Sequence, residues 1–378
     1  MEKSNFKVGF PIGAVFFGSL VGPSMVSGVY SKVYLAPYGA WAFVFALFFP
    51  IISGTIIGFS AGLVRRKKVY DYNSFCHELY GKYSRVCTPL MEIYMLMAQL
   101  LTMAAVVSMG GTMFNSILGL PTFAGSMILA VACLILVLWG AGLIRRASSA
   151  MCVLLVACFL FLAGYCTMTE WDSFAFIMSN WYLPEDANLG SGLWNAILFG
   201  FSGACNGMVL CSLMQDVKTR GHAVATGVWS MILTTIVLFL EVLLILPYIP
   251  GVLSSEMPTM WVIENHLLQR IPWIKTVYYI TMILALITSG VPCLQAMIAR
   301  IDKLIPGNFL EGKEKLKRLV YGAGFIAVVV VISRLGLTTI VSKGYSSLGF
   351  VGILLVFLPT CVLLPIHWHK EKAAATED

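Results

Sequence analysis

Residues 18–28 read GSLVGPSMVSG and lie inside the first long apolar run of the chain. Three glycines, a proline and three serines stand where a membrane helix needs unbroken helix formers. Unwinding a helix at mid-membrane frees N–H and C=O groups that lipid cannot satisfy. Such a break is tolerable where those groups face protein or a watery cavity. Freed carbonyls can hold a cation, and a new helix N-terminus offers N–H groups and a positive dipole end to a carboxylate. Close packing and a simple kink are the other uses of these residues.

A counterpart lies downstream. Residues 198–207 read LFGFSGACNG, with Gly200, Gly203 and Gly207 around Ser202 and Asn206. Gly22 and Gly203 are 181 residues apart, and each falls in the first span of a five-span block, 8–168 and 190–367. Five is odd, so the second block runs inverted to the first. Interrupted spans at matching positions of inverted repeats point to the central site of a transporter.

The rest of the chain fits that frame. Its 378 residues are 59% hydrophobic and 11% charged, with mean hydropathy +0.86. Apolar residues recur in blocks of about 20, the length a bilayer requires. The expected fold is an all-α integral membrane protein, one transmembrane domain over 1–378. Ten spans are placed at 8–35, 39–64, 88–118, 122–143, 148–168, 190–215, 222–247, 272–300, 318–339 and 345–367. Residues 71–86, DYNSFCHELYGKYSRV, are too polar to span and read as a short interfacial amphipathic helix. The first apolar run is too long for a signal peptide and is followed by more spans. Ten scattered cysteines show no metal spacing and read as small buried thiols.

Lysine and arginine set the orientation. With both termini cytoplasmic, 20 of the 25 lie in the inner loops and tails; only Lys32, Arg270, Lys275, Arg334 and Lys343 lie outside. The net charge of +7 is therefore a topology signal and requires no nucleic-acid partner. The outer segment 169–189 holds Glu170, Asp172, Glu185 and Asp186 without a basic residue. It can draw cations to an outer vestibule, or simply be solvated.

In span eight, residues 285–299 read ALITSGVPCLQAMIA. Together with GSLVG in span one, this stretch resembles the neurotransmitter:sodium symporters and their bacterial leucine-transporter relatives. That resemblance implies a sodium ion held between the two helices. Carried over by position, its ligands are the carbonyls of Gly18, Val21 and Ala285 and the hydroxyls of Thr288 and Ser289. Five neutral hard oxygens suit a monovalent hard cation, although Thr-Ser pairs in helices also bond back to their own carbonyls.

Over its whole length the chain resembles the bacterial YkvI-type membrane proteins of the amino acid–polyamine–organocation superfamily, with their Gly-rich first span GTxVGAGFxSG. Pro23 and Ser24 stand here where that pattern has Ala-Gly. The resemblance implies a ten-span inverted repeat with helices 1 and 6 broken, in the bacterial cytoplasmic membrane. It further implies a cation-coupled symporter that imports an amino acid or small organic amine by alternating access, spans 1, 2, 6 and 7 rocking against 3, 4, 8 and 9. Some members of the superfamily place a lysine in span five; SSAMCVLLVACFLFLAGYC (148–166) has none, which favours sodium over proton coupling. A carboxylate proton carrier is the alternative.

Candidate substrate contacts are Val21, Gly22, Pro23 and Ser24 in span one, Phe199, Gly200, Phe201 and Ser202 in span six, and Gln99 and Thr102 in span three. Span-one amides can cradle a carboxylate, and an aromatic of span six can cover an apolar or cationic side chain. Asp302 is a candidate inner-gate partner for Lys3 or Lys7, following an ion pair that the family places there; solvated loop residues are the other reading. Glu241, in LFLEVLLILPY, is the most isolated charge in any span. It reads as an ion or proton site or as a satisfied structural carboxyl near the outer boundary. Glu92 reads as interfacial, and the five histidines lie at edges or loops, forming no metal pair.

A ligand sensor that kept the pocket without transport shares this pattern. An intramembrane enzyme needs paired catalytic groups at membrane depth, such as two aspartates or a Ser–His set, and the spans show neither. Backbone groups that bind a carboxylate carry no side-chain code, so the substrate is legible only as a class. The oligomeric state leaves no mark in the sequence.

Overall fold

Caps and breakers set the helix limits. The computed structural model describes residues 4–20, 22–139, 141–304, 313–366 and 368, and among these no strand forms. Helices α1 (Asn5–Leu20) and α2 (Pro23–Val26) flank the first interruption. Short helical pieces from Ser31 to Ala46 lead into α3 (Phe48–Lys67), followed by α4 (Tyr72–Tyr80), α5 (Ser84–Leu118), α6 (Thr122–Trp139) and α7 (Ala141–Thr169). Then come α8 (Trp171–Ser179), α9 (Leu189–Ser202), α10 (Asn206–Val209), α11 (Arg220–Ile245), α12 (Pro258–Val262), α13 (Trp273–Leu304) and α14 (Glu314–Ser333). The last helical run is α15 (Leu337–Ile366).

Side-chain caps start several of these. Asp71 accepts the Ser74 amide at 2.9 Å ahead of α4, and the Ser74 hydroxyl and amide hold that carboxyl below its ordinary pKa. Asn188 accepts the Gly190 and Ser191 amides ahead of α9, and Thr219 accepts that of His222 ahead of α11. The interfacial helix expected at 71–86 is α4, half-exposed along its length.

The chain is a multi-pass membrane protein. Among the described residues, seven helical runs are long and apolar enough to cross a bilayer. They coincide with seven of the ten expected spans. The other three are shortened or bent. The first is divided around residue 21, which lies outside the described residues. The fourth is a shorter apolar helix, Thr122–Leu138; the fifth, Val153–Thr169, bends by 82° into α8. Val153, Met168, Val331 and Leu354 are each at least 67% exposed, an apolar exterior that suits lipid rather than water.

Glycines bring three helices together. A Cβ on Gly9 or Gly13 of α1 would lie 2.7–2.9 Å from the α11 backbone at Ala225 and Ser230. One on Gly227 of α11 would lie 2.6 Å from the Gly54 carbonyl of α3. Without a hydrophobic drive between helices in lipid, such close backbone approach supplies the packing energy. Phe6 and Phe10 of α1 close the seam by edge-on contact with Trp229.

Candidate functional site

Both interruptions form where the punctuation predicts them. In span one the helix ends at Leu20, restarts at Pro23, turns again at Ser27–Gly28 and continues as a wide π-helical segment, Ser31–Leu35. Gly28 has φ +81°, a left-handed conformation that glycine adopts without strain. In span six α9 ends at Ser202, and residues 203–205 form a turn before α10 and the tight helix Leu210–Asp216.

The groups freed at the second turn of span one find partners on three other elements. The Val26 carbonyl accepts the Tyr278 hydroxyl of α13 at 2.7 Å. The Ser27 carbonyl accepts the Thr259 amide of α12 at 3.0 Å. The Ser31 amide donates to Glu241 Oε1 of α11, also at 3.0 Å. Protein groups satisfy these three positions of the break.

The restarted half of span one carries an aromatic cluster. Tyr34 stacks on Phe199 of α9 at 4.7 Å between ring centroids; Tyr30 lies 4.8 Å and Phe49 4.6 Å from the same ring. Tyr345 of α15 lies 5.9 Å from Tyr30, with its hydroxyl beside those of Thr102, Ser24 and Tyr30. Tyr34 ties the cluster to α15 by donating to the Val341 carbonyl at 2.7 Å. All five rings are buried. The result is a closely packed box of rings, Phe199 in contact with three neighbours, with hydroxyls at its edge.

Of the predicted substrate contacts, Ser24, Thr102 and Phe199 meet at this box. Ser24 is buried, and Thr102 donates back to the Ala98 carbonyl at 2.8 Å. Gln99 lies one turn before Thr102, and its buried Oε1 has no partner. Gly22 forms the bend before α2, and the backbone of Pro23 begins that helix. Gly200 and Phe201 face elsewhere. Gly200 lies against Ile52 and the Phe48 carbonyl of α3, while Phe201 packs edge-on against Phe357 of α15 at 4.9 Å. Ser202 donates to the Phe199 carbonyl at 2.7 Å, within its own turn.

The sodium ligand set is only partly in view, because Val21 lies outside the described residues. α13 packs against α2, which brings span eight to the first interruption. The Thr288 hydroxyl donates to the carbonyls of Leu284 at 3.0 Å and Ala285 at 3.2 Å. Donation leaves the oxygen lone pairs of Thr288 free to accept a cation. Ser289 and Gly18 are half-buried. Among the described residues no three His, Cys, Asp or Glu side chains gather as a metal cluster.

The expected gate residues Asp302 and Lys7 do not pair with each other in this structure. Asp302 forms an ion pair with Lys317 of α14, while Lys7 is exposed and its amide turns to Ser4 Oγ at 3.4 Å. Lys3 lies outside the described residues. Asp302 and Lys317 sit at adjacent ends of two helices that pack together, so the nearer ammonium takes the carboxylate. Glu92, read as interfacial, pairs with Arg300 of α13, whose guanidinium lies 5.6 Å over the Tyr72 ring. That pair borders a cavity of about 550 Å³ lined by Asp71, Tyr72, Leu96 and Ala299.

Known proteins resemble this arrangement in shape. No family model matches the chain, and no curated protein matches its sequence. Among solved structures, MhsT in complex with L-phenylalanine superposes with TM-score 0.62 at 17% identity, over 95% of this chain and 90% of that one. A mutant manganese transporter of Eremococcus coleocola gives 0.64 at 15% identity, over 95% and 81%. A Na+-coupled sialic acid symporter in a substrate-bound outward-open state gives 0.50 at 10% identity, over 95% and 87%. These structures share the leucine-transporter fold, and that is the fold of this chain.

Proposed function

We propose that this protein is a secondary active transporter that imports an amino acid or related small organic amine by alternating access, coupled to sodium. The observation that carries the reading is the pair of broken helices. Tyr30, just beyond the first break, meets Phe199, just before the second, inside one buried box. A helix broken at both matched positions leaves oriented backbone groups at a central site, the arrangement a transporter uses.

The ring cluster supports the substrate class. Rings of Tyr30, Tyr34, Phe199 and Tyr345 offer π-faces to an apolar or cationic group, and the hydroxyls of Ser24, Thr102 and Tyr345 offer neutral polar contacts. The phenylalanine bound to MhsT and the sodium coupling of the sialic acid symporter support an amino-acid-like solute and a sodium ion. Gly18, Val21, Ala285, Thr288 and Ser289 are the proposed ion ligands. Cation binding there favours the substrate-ready state, and the coupling consists of that difference in affinity between states. The ten-span, five-plus-five inverted layout with both termini cytoplasmic, in a bacterial cytoplasmic membrane, belongs to the same proposal.

A thermal-shift screen of amino acids and amines, with sodium or potassium chloride, tests it. At least one solute should stabilise the protein, more so in sodium, and Thr288→Ala should remove the sodium increment. Absence of any sodium-dependent stabilisation, with an indifferent Thr288→Ala variant, removes the ion assignment. Counterflow in proteoliposomes then separates transporter from sensor, since a sensor binds solute and exchanges none.

A further inference from the structure

Glu241 lies on α11 with its side chain fully buried. One carboxyl oxygen accepts the Ser31 amide at 3.0 Å; the other has no hydrogen-bond partner. The titratable groups that face it are phenols, Tyr30 from span one and Tyr278 from α13. Lys32, next to Ser31, turns away to the Ser255 carbonyl at 2.7 Å and toward the Glu256 carboxylate. Among the described residues no lysine, arginine or histidine forms an ion pair with Glu241. Sealing an ionised carboxylate from water without a counter-charge is unfavourable, whereas sealing the neutral acid is not.

What seals it is the outer segment between α11 and α13, itself packed into the core through Val252, Thr259, Val262 and Ile263. Segment 251–267 lies over the second turn of span one, joined by the Thr259–Ser27 backbone bond and by Lys32 to Ser255. Lifting that segment breaks both bonds, together with those of Glu264 to Lys275 at 2.8 Å and to Ser116 at 3.4 Å, and uncovers the junction of span one with α11.

We infer that Glu241 is an exchangeable-proton site, loaded while segment 251–267 is down and open to water when it lifts. In the lifted state the carboxylate takes a proton from water, forming one O–H bond on the unpartnered oxygen and leaving hydroxide to the buffer. Closure traps the neutral acid, and the next opening returns the proton. The proton is distinct from the sodium proposed above. Its part in coupling rests on the transport reading; its presence does not.

Infrared difference spectra of the purified protein in lipid nanodiscs test the site without any solute. At neutral pH the protein should show the carbonyl stretch of a protonated carboxylic acid, missing from Glu241→Gln, whose amide oxygen still accepts from Ser31. In heavy water that band should shift slowly. A Ser27→Cys, Thr259→Cys disulfide that holds the cover down should slow the shift about tenfold or more, as exchange through local opening requires. The lock is made with Glu241 present, so it decides the matter even if Glu241→Gln does not fold. An ionised Glu241 at neutral pH, a band that survives in Glu241→Gln, or exchange indifferent to the lock each overturns the proposal. A protein that shows the locked band yet exchanges no solute keeps the proton site and loses only its place in coupling.

Discussion

The Tyr278 hydroxyl donates to the Val26 carbonyl at 2.7 Å, from the eighth expected span to the first, with both residues buried. This bond, the Thr259 amide to Ser27 and the Ser31 amide to Glu241 together satisfy one turn of broken helix. The turn exists because Gly28 takes φ +81° and so misaligns the helical ladder. Its three partners lie on α13, α12 and α11. A movement of any of them relative to span one must break a bond that nothing in lipid replaces.

Tyr278→Phe removes only the donor and keeps the ring. The Val26 carbonyl is then buried without a partner, at a cost of about 1–3 kcal/mol. Thermal unfolding in detergent should show the loss directly. A wild-type melting temperature would mean that this carbonyl finds another donor, and that the bond does not hold the turn.

Glu241 separates a cap from a charge. Glu241→Ala leaves the Ser31 amide unsatisfied and opens a cavity, so it should destabilise by about 2–4 kcal/mol. Glu241→Gln keeps an oxygen for that amide and should lie within about 1 kcal/mol of wild type. Chemical unfolding of the two variants checks the ordering. Equal losses would show that the amide bond contributes nothing and that only the acid matters.

The breaks were legible in the sequence because glycine and proline act locally, whatever surrounds them. The aromatic box was not. Tyr34 lies in the wide helical segment Ser31–Leu35 and Tyr345 ends another, Ile340–Tyr345. Each wide turn inserts a residue and rotates the helix face, so a regular 3.6-residue period aims these rings wrongly. Phe199 and Phe201 show the same limit at short range. They are two residues apart on a regular helix, so only one of them can face the box. Glu241 stands near the outer end of its span in sequence, where burial is not expected. The chain instead continues into tight turns, Leu246–Tyr248, and segment 251–267 covers that end. Burial of this kind depends on a distant segment, and sequence spacing does not record it.

The helix seams make a prediction with its own control. Gly227→Ala puts a methyl carbon 2.6 Å from the Gly54 carbonyl, so α3 and α11 must separate. Overpacking of this kind costs about 1–3 kcal/mol. Gly324→Ala on α14 meets nothing within 4 Å and should instead gain up to about 1 kcal/mol from helix propensity. Thermal unfolding of the two variants should therefore move in opposite directions. A shift of the same sign in both would mean that the α3–α11 contact is looser than its geometry.

Tyr345 offers the cleanest separation of binding from folding. Its ring packs on Tyr30, while its hydroxyl lies beside those of Ser24, Thr102 and Tyr30. Tyr345→Phe keeps the packing and removes one polar contact from the rim. Losing such a contact to a solute costs about 1–1.5 kcal/mol, close to tenfold in Kd. The melting temperature without solute should barely change. Phe199→Ala removes the ring on which Tyr30, Tyr34 and Phe49 all pack, and should cost about 3–5 kcal/mol of stability before any solute is added. Solute titrations by thermal shift, run on both variants with the solute the screen identifies, distinguish the two roles. If Tyr345→Phe binds that solute as tightly as wild type, the hydroxyl rim is not the recognition surface. The solute then rests on the backbone of the breaks alone.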